Sequence, residues 1–196
     1  MNKLLETIKI VNGSAPWLEF HNERLNKSRQ ILFNCPSKID LKNFIQVPSQ
    51  IGIYKCRVIY SDTIASIECS YYQARNFNFF TIVEADNLVY DFKYLNRENL
   101  NRLCLLKGQT DDILIIKQGF VTDTSIANVA FWHQDKWLTP STPLLKGTTR
   151  ERLLRQKQIM ETDIRLTDLK NFSKMALMNA LMGFYVVENF KFHECF

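Results

Sequence analysis

Four two-residue turn signals do most to restrict what this chain can fold into: Asn12-Gly13, where a strand runs into a turn, and Ser61-Asp62, Gln118-Gly119 and Gln134-Asp135, each between short apolar runs. Such dipeptides accept the left-handed or tight backbone that reverses a strand on itself. The runs beside them, 5–11, 54–60, 65–72, 112–117, 120–122, 128–133 and 136–139, are rich in β-branched and aromatic residues. Residues 79–84, 174–179 and 184–188 read the same way. Helical spacing is confined to fewer places. Leu18, Leu25 and Leu32 recur one heptad apart in 17–33, with His21, Ser28 and Arg29 between them. Residues 148–160 give a second helix with Leu153 and Leu154 as its core side, and 99–107 a third that stops at Gly108. A short helix fits 41–45. Hairpins joined by packed helices define an α+β class. The first lobe reads as antiparallel strands with one packed helix, and a boundary between about Asp86 and Tyr94 divides 1–88 from 89–196.

Composition narrows the class further. Hydrophobic residues are 46% of the 196 and charged residues 23%, ordinary globular usage that excludes disorder and coiled coil. No run supplies eighteen consecutive apolar residues, so no membrane span is expected. Glu6 stands where a signal peptide needs its apolar stretch, which points to a cytoplasmic protein. The five cysteines, at 35, 56, 69, 104 and 195, are widely spaced, odd in number and without a Cys-x-x-Cys pair, so no disulfide framework is expected. The three histidines, 21, 133 and 193, are too scattered to suggest zinc. The net charge is +5, and basic residues gather between Lys146 and Lys157 against one acid, Glu151. Such a run makes a solvated helix face or favours a small anion. No nucleic-acid motif accompanies it.

Three local features can carry chemistry. Lys93 lies between aromatics in Tyr90-Asp91-Phe92-Lys93-Tyr94-Leu95-Asn96-Arg97. Partial desolvation favours a neutral, nucleophilic amine able to form a Schiff base, although a lysine snorkelling from a strand end would look the same. Leu145-Lys146-Gly147-Thr148-Thr149-Arg150 opens a helix with a glycine and two hydroxyls. That suits a phosphate cradle as well as simple capping by threonine, and it lacks the spacing of a P-loop. The run from Gly119 to Asn128 sets Thr122, Asp123, Thr124, Ser125 and Asn128 between apolar strands. There a carboxylate could hold a proton on a heterocycle, or the polar side chains could satisfy their own loop. An amine, an anion site and an acid together match what pyridoxal 5'-phosphate requires.

The order of these segments resembles the class IV aminotransferases, pyridoxal-phosphate enzymes that include D-amino-acid and branched-chain aminotransferases and aminodeoxychorismate lyase. Leu5-Glu6-Thr7-Ile8 before an Asn-Gly turn resembles the family's opening strand. His21-Asn22-Glu23-Arg24-Leu25 resembles its His-x-x-Arg-Leu helix. Phe92-Lys93-Tyr94-Leu95-Asn96-Arg97 is similar to the Schiff-base segment, most of all in its lyase form. Gly119 to Asn128, Leu144 to Arg150 and Met178-Asn179-Ala180-Leu181 resemble the strand–loop, the phosphate loop and the lyase's Asn-Ala-Leu. The matches run in order from residue 4 to about 184. The chain departs from the pattern in having Asp123 for the usual glutamate, Leu5 for a common tyrosine, and Tyr60-Ser61 for Arg-Gly, with a shortened first lobe.

The resemblance implies a two-lobed fold-type IV enzyme, D-amino-acid-aminotransferase-like, that works as a homodimer on a small amino substrate. It implies Lys93 as the Schiff-base and acid–base residue and Asp123 as partner of the ring nitrogen. Arg24, Gly147, Thr148, Thr149 and Asn179 would lie at the phosphate, and Asn128 would orient the loop. The implied activity is aminodeoxychorismate lyase, giving 4-aminobenzoate and pyruvate for folate synthesis. An amino-acid transaminase and a non-catalytic relative of the same fold are the alternatives.

Overall fold

In the computed structural model, which describes residues 3–48 and 51–194, the chain divides into two compact units. Cys195 lies outside the described residues. The first unit comprises residues 1–74 and 92–96, the second 75–91 and 97–196. Among the described residues no helix is long and apolar enough to cross a membrane.

The first unit is an antiparallel sheet of β1 (Leu4–Val11), β2 (Ile53–Tyr60) and β3 (Ile64–Tyr71), in that order, with α1 (Leu18–Phe33) packed on it. Asn12 and Gly13 both take left-handed backbone, and Val11 and Ser14 exchange hydrogen bonds of 2.8 and 2.9 Å across them. Alternate residues of β2, Tyr54, Cys56, Val58 and Tyr60, point into a core that includes Leu4, Ile8, Ile10 and Leu25. Leu18 and Leu32 flank that core, but the helix face also buries His21, Ser28 and Arg29. Arg29 is satisfied by the carbonyls of Asp62, at 2.8 Å, and Ser37, at 2.5 Å. The segment Phe92–Asn96 returns to this unit: Leu5 N–H donates to the Lys93 carbonyl and Leu95 N–H to the Lys3 carbonyl, both at 2.9 Å.

The second unit is built on a nine-stranded sheet. Its strands are β4 (Phe79–Glu84), β5 (Asp112–Lys117), β6 (Phe120–Thr124), β7 (Asn128–His133), β8 (Lys136–Pro140), β9 (Met160–Thr162), β10 (Lys174–Asn179), β11 (Gly183–Val187) and β12 (Lys191–Glu194). The hairpins at 118–119 and 134–135 form as expected, with left-handed backbone at all four turn residues. β5 is buried along five of its six residues, which explains its continuous apolar sequence.

Several expectations need correction. Strand 79–84 is not part of the first lobe's antiparallel set: β4 pairs parallel with β5 and with β12. The helix expected over 148–160 is α3 (Thr148–Arg155) only. Lys157 turns left-handed, Ile159 is buried, and Met160 begins β9 alongside β8. The helix expected over 99–107 is α2 (Glu98–Cys104), continued by one tight 3₁₀ turn to Gly108.

Candidate active site

The expected site residues fall on both units. On the first unit they surround an acid that sequence reasoning treated only as part of a strand. Glu6, on β1, is fully buried. His21 and Arg24 lie three residues apart on α1 and so face the same way. His21 Nδ1 is 2.7 Å from Glu6 Oε2. Arg24 donates from Nε to Oε1 at 2.8 Å and from Nη2 to Oε2 at 2.5 Å, a bidentate pair. Burial alone would raise the Glu6 pKa, but the Arg24 charge and the hydrogen bonds of His21 and Arg24 outweigh it and hold it at about 2. Burial lowers the His21 pKa, Glu6 opposes that, and the charges of Arg24 and Lys93 push it down further. A neutral imidazole beside an acceptor-only carboxylate must carry its proton on Nδ1. Lys93 is half-buried. Its neighbours Phe92 and Tyr94 pack edge-to-face at 6.0 Å against the first core, and Leu4 bridges Tyr94. The signal in the sequence was the i, i+3 spacing of histidine and arginine together with one acid in an apolar strand.

On the second unit the hairpin of β6 and β7 sets Asp123 directly opposite Asn128. Asn128 Nδ2 donates to Asp123 Oδ1 and to the Leu145 carbonyl, both at 2.7 Å. Leu145 N–H donates to Asp123 Oδ2 at 3.0 Å. Burial pushes the Asp123 carboxyl up to about 7, because the bonds from Asn128 and Leu145 and the charge of Arg150 only partly offset it. The loop between the two strands partly satisfies itself: Thr124 Oγ1 accepts from Ile126 N–H at 3.3 Å and Ala127 N–H at 3.1 Å. Arg97, from the lysine-bearing motif, also donates to the Ser125 carbonyl.

Gly147 caps α3 with extended backbone, and no side chain caps the helix start. A Cβ on Gly147 would lie 2.1 Å from Asn128 Oδ1, so any larger residue there must displace the Asn128 side chain. Thr148, Thr149 and Arg150 follow, all buried. Arg150 donates from Nη2 to the Pro140 carbonyl at 2.8 Å and to Glu161 Oε1 at 2.6 Å, while its buried Nε has no partner. Asp123, Asn128, Gly147, Thr148 and Thr149 therefore form one connected cluster. Asn179 serves the turn after β10: its Oδ1 accepts from Leu181 N–H at 3.0 Å and Met182 N–H at 2.8 Å, and its Nδ2 donates to the Ile126 carbonyl at 3.3 Å.

These features suit pyridoxal phosphate on the second unit's own terms. A deeply buried carboxyl has no cation bonded to it, and the start of α3 has no side-chain cap on its amides.

Comparison with known proteins defines the class. The family Amino-transferase class IV matches residues 87–190. An uncharacterized protein of Haemophilus influenzae is 37% identical over 187 residues, covering 93% of this chain and 100% of the relative. The chain belongs to the class IV aminotransferase family, and its mixed sheet-rich fold is that of fold-type IV. Among solved structures, a Haemophilus somnus 129PT protein provisionally named a 4-amino-4-deoxychorismate lyase superposes with a TM-score of 0.83 at 34% identity. The match covers 93% of this chain and 98% of that one. A hypothetical aminotransferase of Mycobacterium tuberculosis, in a pyridoxal-phosphate-bound form, shares the fold with a TM-score of 0.78 at 17% identity, covering 97% of this chain and 81% of that one.

Proposed function

We propose that the chain is a pyridoxal-phosphate enzyme that converts 4-amino-4-deoxychorismate to 4-aminobenzoate and pyruvate. The observation that carries the cofactor is the cluster of buried Asp123, Asn128 and the Gly147 helix start. Support for the lyase comes from the 34% identity to the Haemophilus somnus protein across nearly the whole of both chains. A Schizosaccharomyces pombe protein provisionally named aminodeoxychorismate lyase adds 39% identity over 92 residues, which cover 44% of this chain and 39% of the relative.

When bound, pyridoxal phosphate supplies an aldehyde that captures amines and a ring that accepts electrons. Lys93 Nζ would be the amine that holds the aldehyde, and it would be the group that moves a proton at the carbon bearing the substrate's nitrogen. The Asp123 carboxylate would balance a protonated ring nitrogen, and Asn128 fixes the orientation of that carboxylate. On the second unit the amides at Gly147 and Thr148 and the Thr149 hydroxyl would bind phosphate, and on the first unit Arg24 is the candidate cation for it. Glu6 holds the Arg24 guanidinium in one plane, and Asn179 acts through the turn it fastens. The enzyme works as a cytoplasmic homodimer on a small amino substrate.

The test is incubation with aminodeoxychorismate in parallel with an amino acid plus 2-oxoglutarate. Release of 4-aminobenzoate supports the lyase. Glutamate formation without aminobenzoate replaces it with the family's transaminase reaction. Purified protein should be yellow, and borohydride should bleach it while fixing the cofactor at Lys93. A wild type that stays colourless with added cofactor leaves only a non-catalytic relative.

A further inference from the structure

Cys56 and Cys69 take no part in that chemistry, yet the sheet of the first unit sets them face to face. They are directly opposite in the β2–β3 ladder. One hydrogen bond fixes what kind of pair they are. Tyr72 N–H donates to the Ile53 carbonyl at 2.9 Å. Ladder bonds in an antiparallel pair alternate, so the bonded positions continue at 55/70 and 57/68, and 54/71 and 56/69 fall between them. At such non-hydrogen-bonded positions the Cα atoms are about 4.5 Å apart and the side chains approach closely. A disulfide spans Cα separations of about 4.4–6.8 Å. The adjoining pair of the same kind shows the closeness directly: the rings of Tyr54 and Tyr71 are centred 4.4 Å apart. Cys56 is buried in the first core and Cys69 is exposed on the edge strand, and both thiols are free. Burial pushes the Cys56 thiol pKa up, and its contact with Cys69 pushes it further.

We propose that Cys56 and Cys69 are a reversible oxidation site that closes to a cross-strand disulfide on meeting a small-molecule disulfide such as oxidised glutathione. Cys69, accessible and on the edge, loses its proton and attacks one sulfur of the oxidant. This forms a mixed disulfide and expels one thiolate. Cys56 then gives up its proton and attacks the Cys69 sulfur, forming the protein disulfide and releasing the second thiol. Two protein thiols are oxidised and one small disulfide is reduced to two thiols. The bond would staple edge strand β3 to β2 at Cys56, which lies opposite Ile8 of β1, the strand that carries Glu6. In a reducing compartment such a bond is transient, which suits a sensor more than a structural tie.

The test incubates the full-length protein with oxidised glutathione, alkylates the remaining thiols and maps disulfide-linked peptides by mass spectrometry. The expected result is a 56–69 cross-link, two fewer alkylatable thiols, and a raised thermal midpoint that dithiothreitol restores to its starting value. Cys69→Ser should show neither the link nor the shift. A glutathione adduct that persists on Cys69 with Cys56 still alkylatable after denaturation would overturn the proposal. So would a bond that recruits Cys35, Cys104 or Cys195 instead. If the serine variant folds poorly, the wild-type peptide map decides alone, and neither outcome depends on cofactor or activity.

Discussion

An acid buried as deeply as Asp123 ordinarily needs a cation bonded to it, and its bonds come instead from an amide side chain and backbone N–H groups. Its pKa, raised to about 7 in the folded chain, has a definite consequence for the cofactor-free protein. The unfolded chain releases this proton near the ordinary value of 3.8, so between that value and about 7 the folded state binds more protons. Stability from this group is therefore full at low pH and falls as pH rises through that window. The total is on the order of a few kcal/mol. Cofactor-free wild type and Asp123→Asn should be melted from pH 4 to pH 8. The wild type should lose stability relative to the variant as pH rises, and a constant difference would contradict an uncompensated acid. Glu6 acts in the opposite direction and in another range. Its depressed pKa gives stability that is present above 4.5 and lost as pH falls toward 2.

At the level of elements, the junction of β7 and α3 rests on one close approach. Gly147 has no room for a Cβ because Asn128 Oδ1 would lie 2.1 Å from it. Gly147→Ala should cost roughly 1–3 kcal/mol in chemical denaturation, the usual penalty for overpacking. Combined with Asn128→Ala, which removes the clashing oxygen, the double variant should cost less than the sum of the singles by at least about 0.5 kcal/mol. Strict additivity would mean that the two residues do not meet. Much of this level was legible in the sequence. Gln118-Gly119 and Gln134-Asp135 mark their hairpins, and Asn12-Gly13 the turn that ends β1, because the backbone there demands residues that tolerate positive φ. The order of lysine, acid and helix-start motifs likewise picked out the candidate site. What was hidden depended on distant partners. Residues 156–160 read as helix until Met160 pairs with Leu138 of β8, β4 looks like a hairpin strand until β5 and β12 pair with it in parallel, and β12 gave no recognised signal. Glu6 was legible only in part: the spacing of His21 and Arg24 is visible in the sequence, their pairing with this acid is not. An acid in a strand reads as a solvent-facing position until His21 and Arg24 close over it from α1.

For the molecule as a whole, the path of the chain separates the candidate lysine from the candidate acid. Phe92–Asn96 belongs to the first unit, where Lys93 shares its surroundings with Glu6, His21 and Arg24, whereas Asp123 and the Gly147 helix start belong to the second. Whichever of these residues the cofactor uses, its binding free energy becomes part of the stability of the folded chain. Pyridoxal phosphate at a hundredfold excess over its dissociation constant should add about 2.7 kcal/mol. For a chain of this length that raises the thermal midpoint by roughly 5–10 °C. Pyridoxal, which has the aldehyde but no phosphate, should give a much smaller shift, and so should pyridoxal phosphate with Thr149→Val. Lys93→Ala separates the two contributions: it should keep the part of the shift that comes from the phosphate and lose the yellow colour and the borohydride-fixed adduct. Equal shifts from pyridoxal and pyridoxal phosphate would remove the helix start of α3 from the binding site, and a full shift with retained borohydride fixation in Lys93→Ala would move the covalent attachment to another amine.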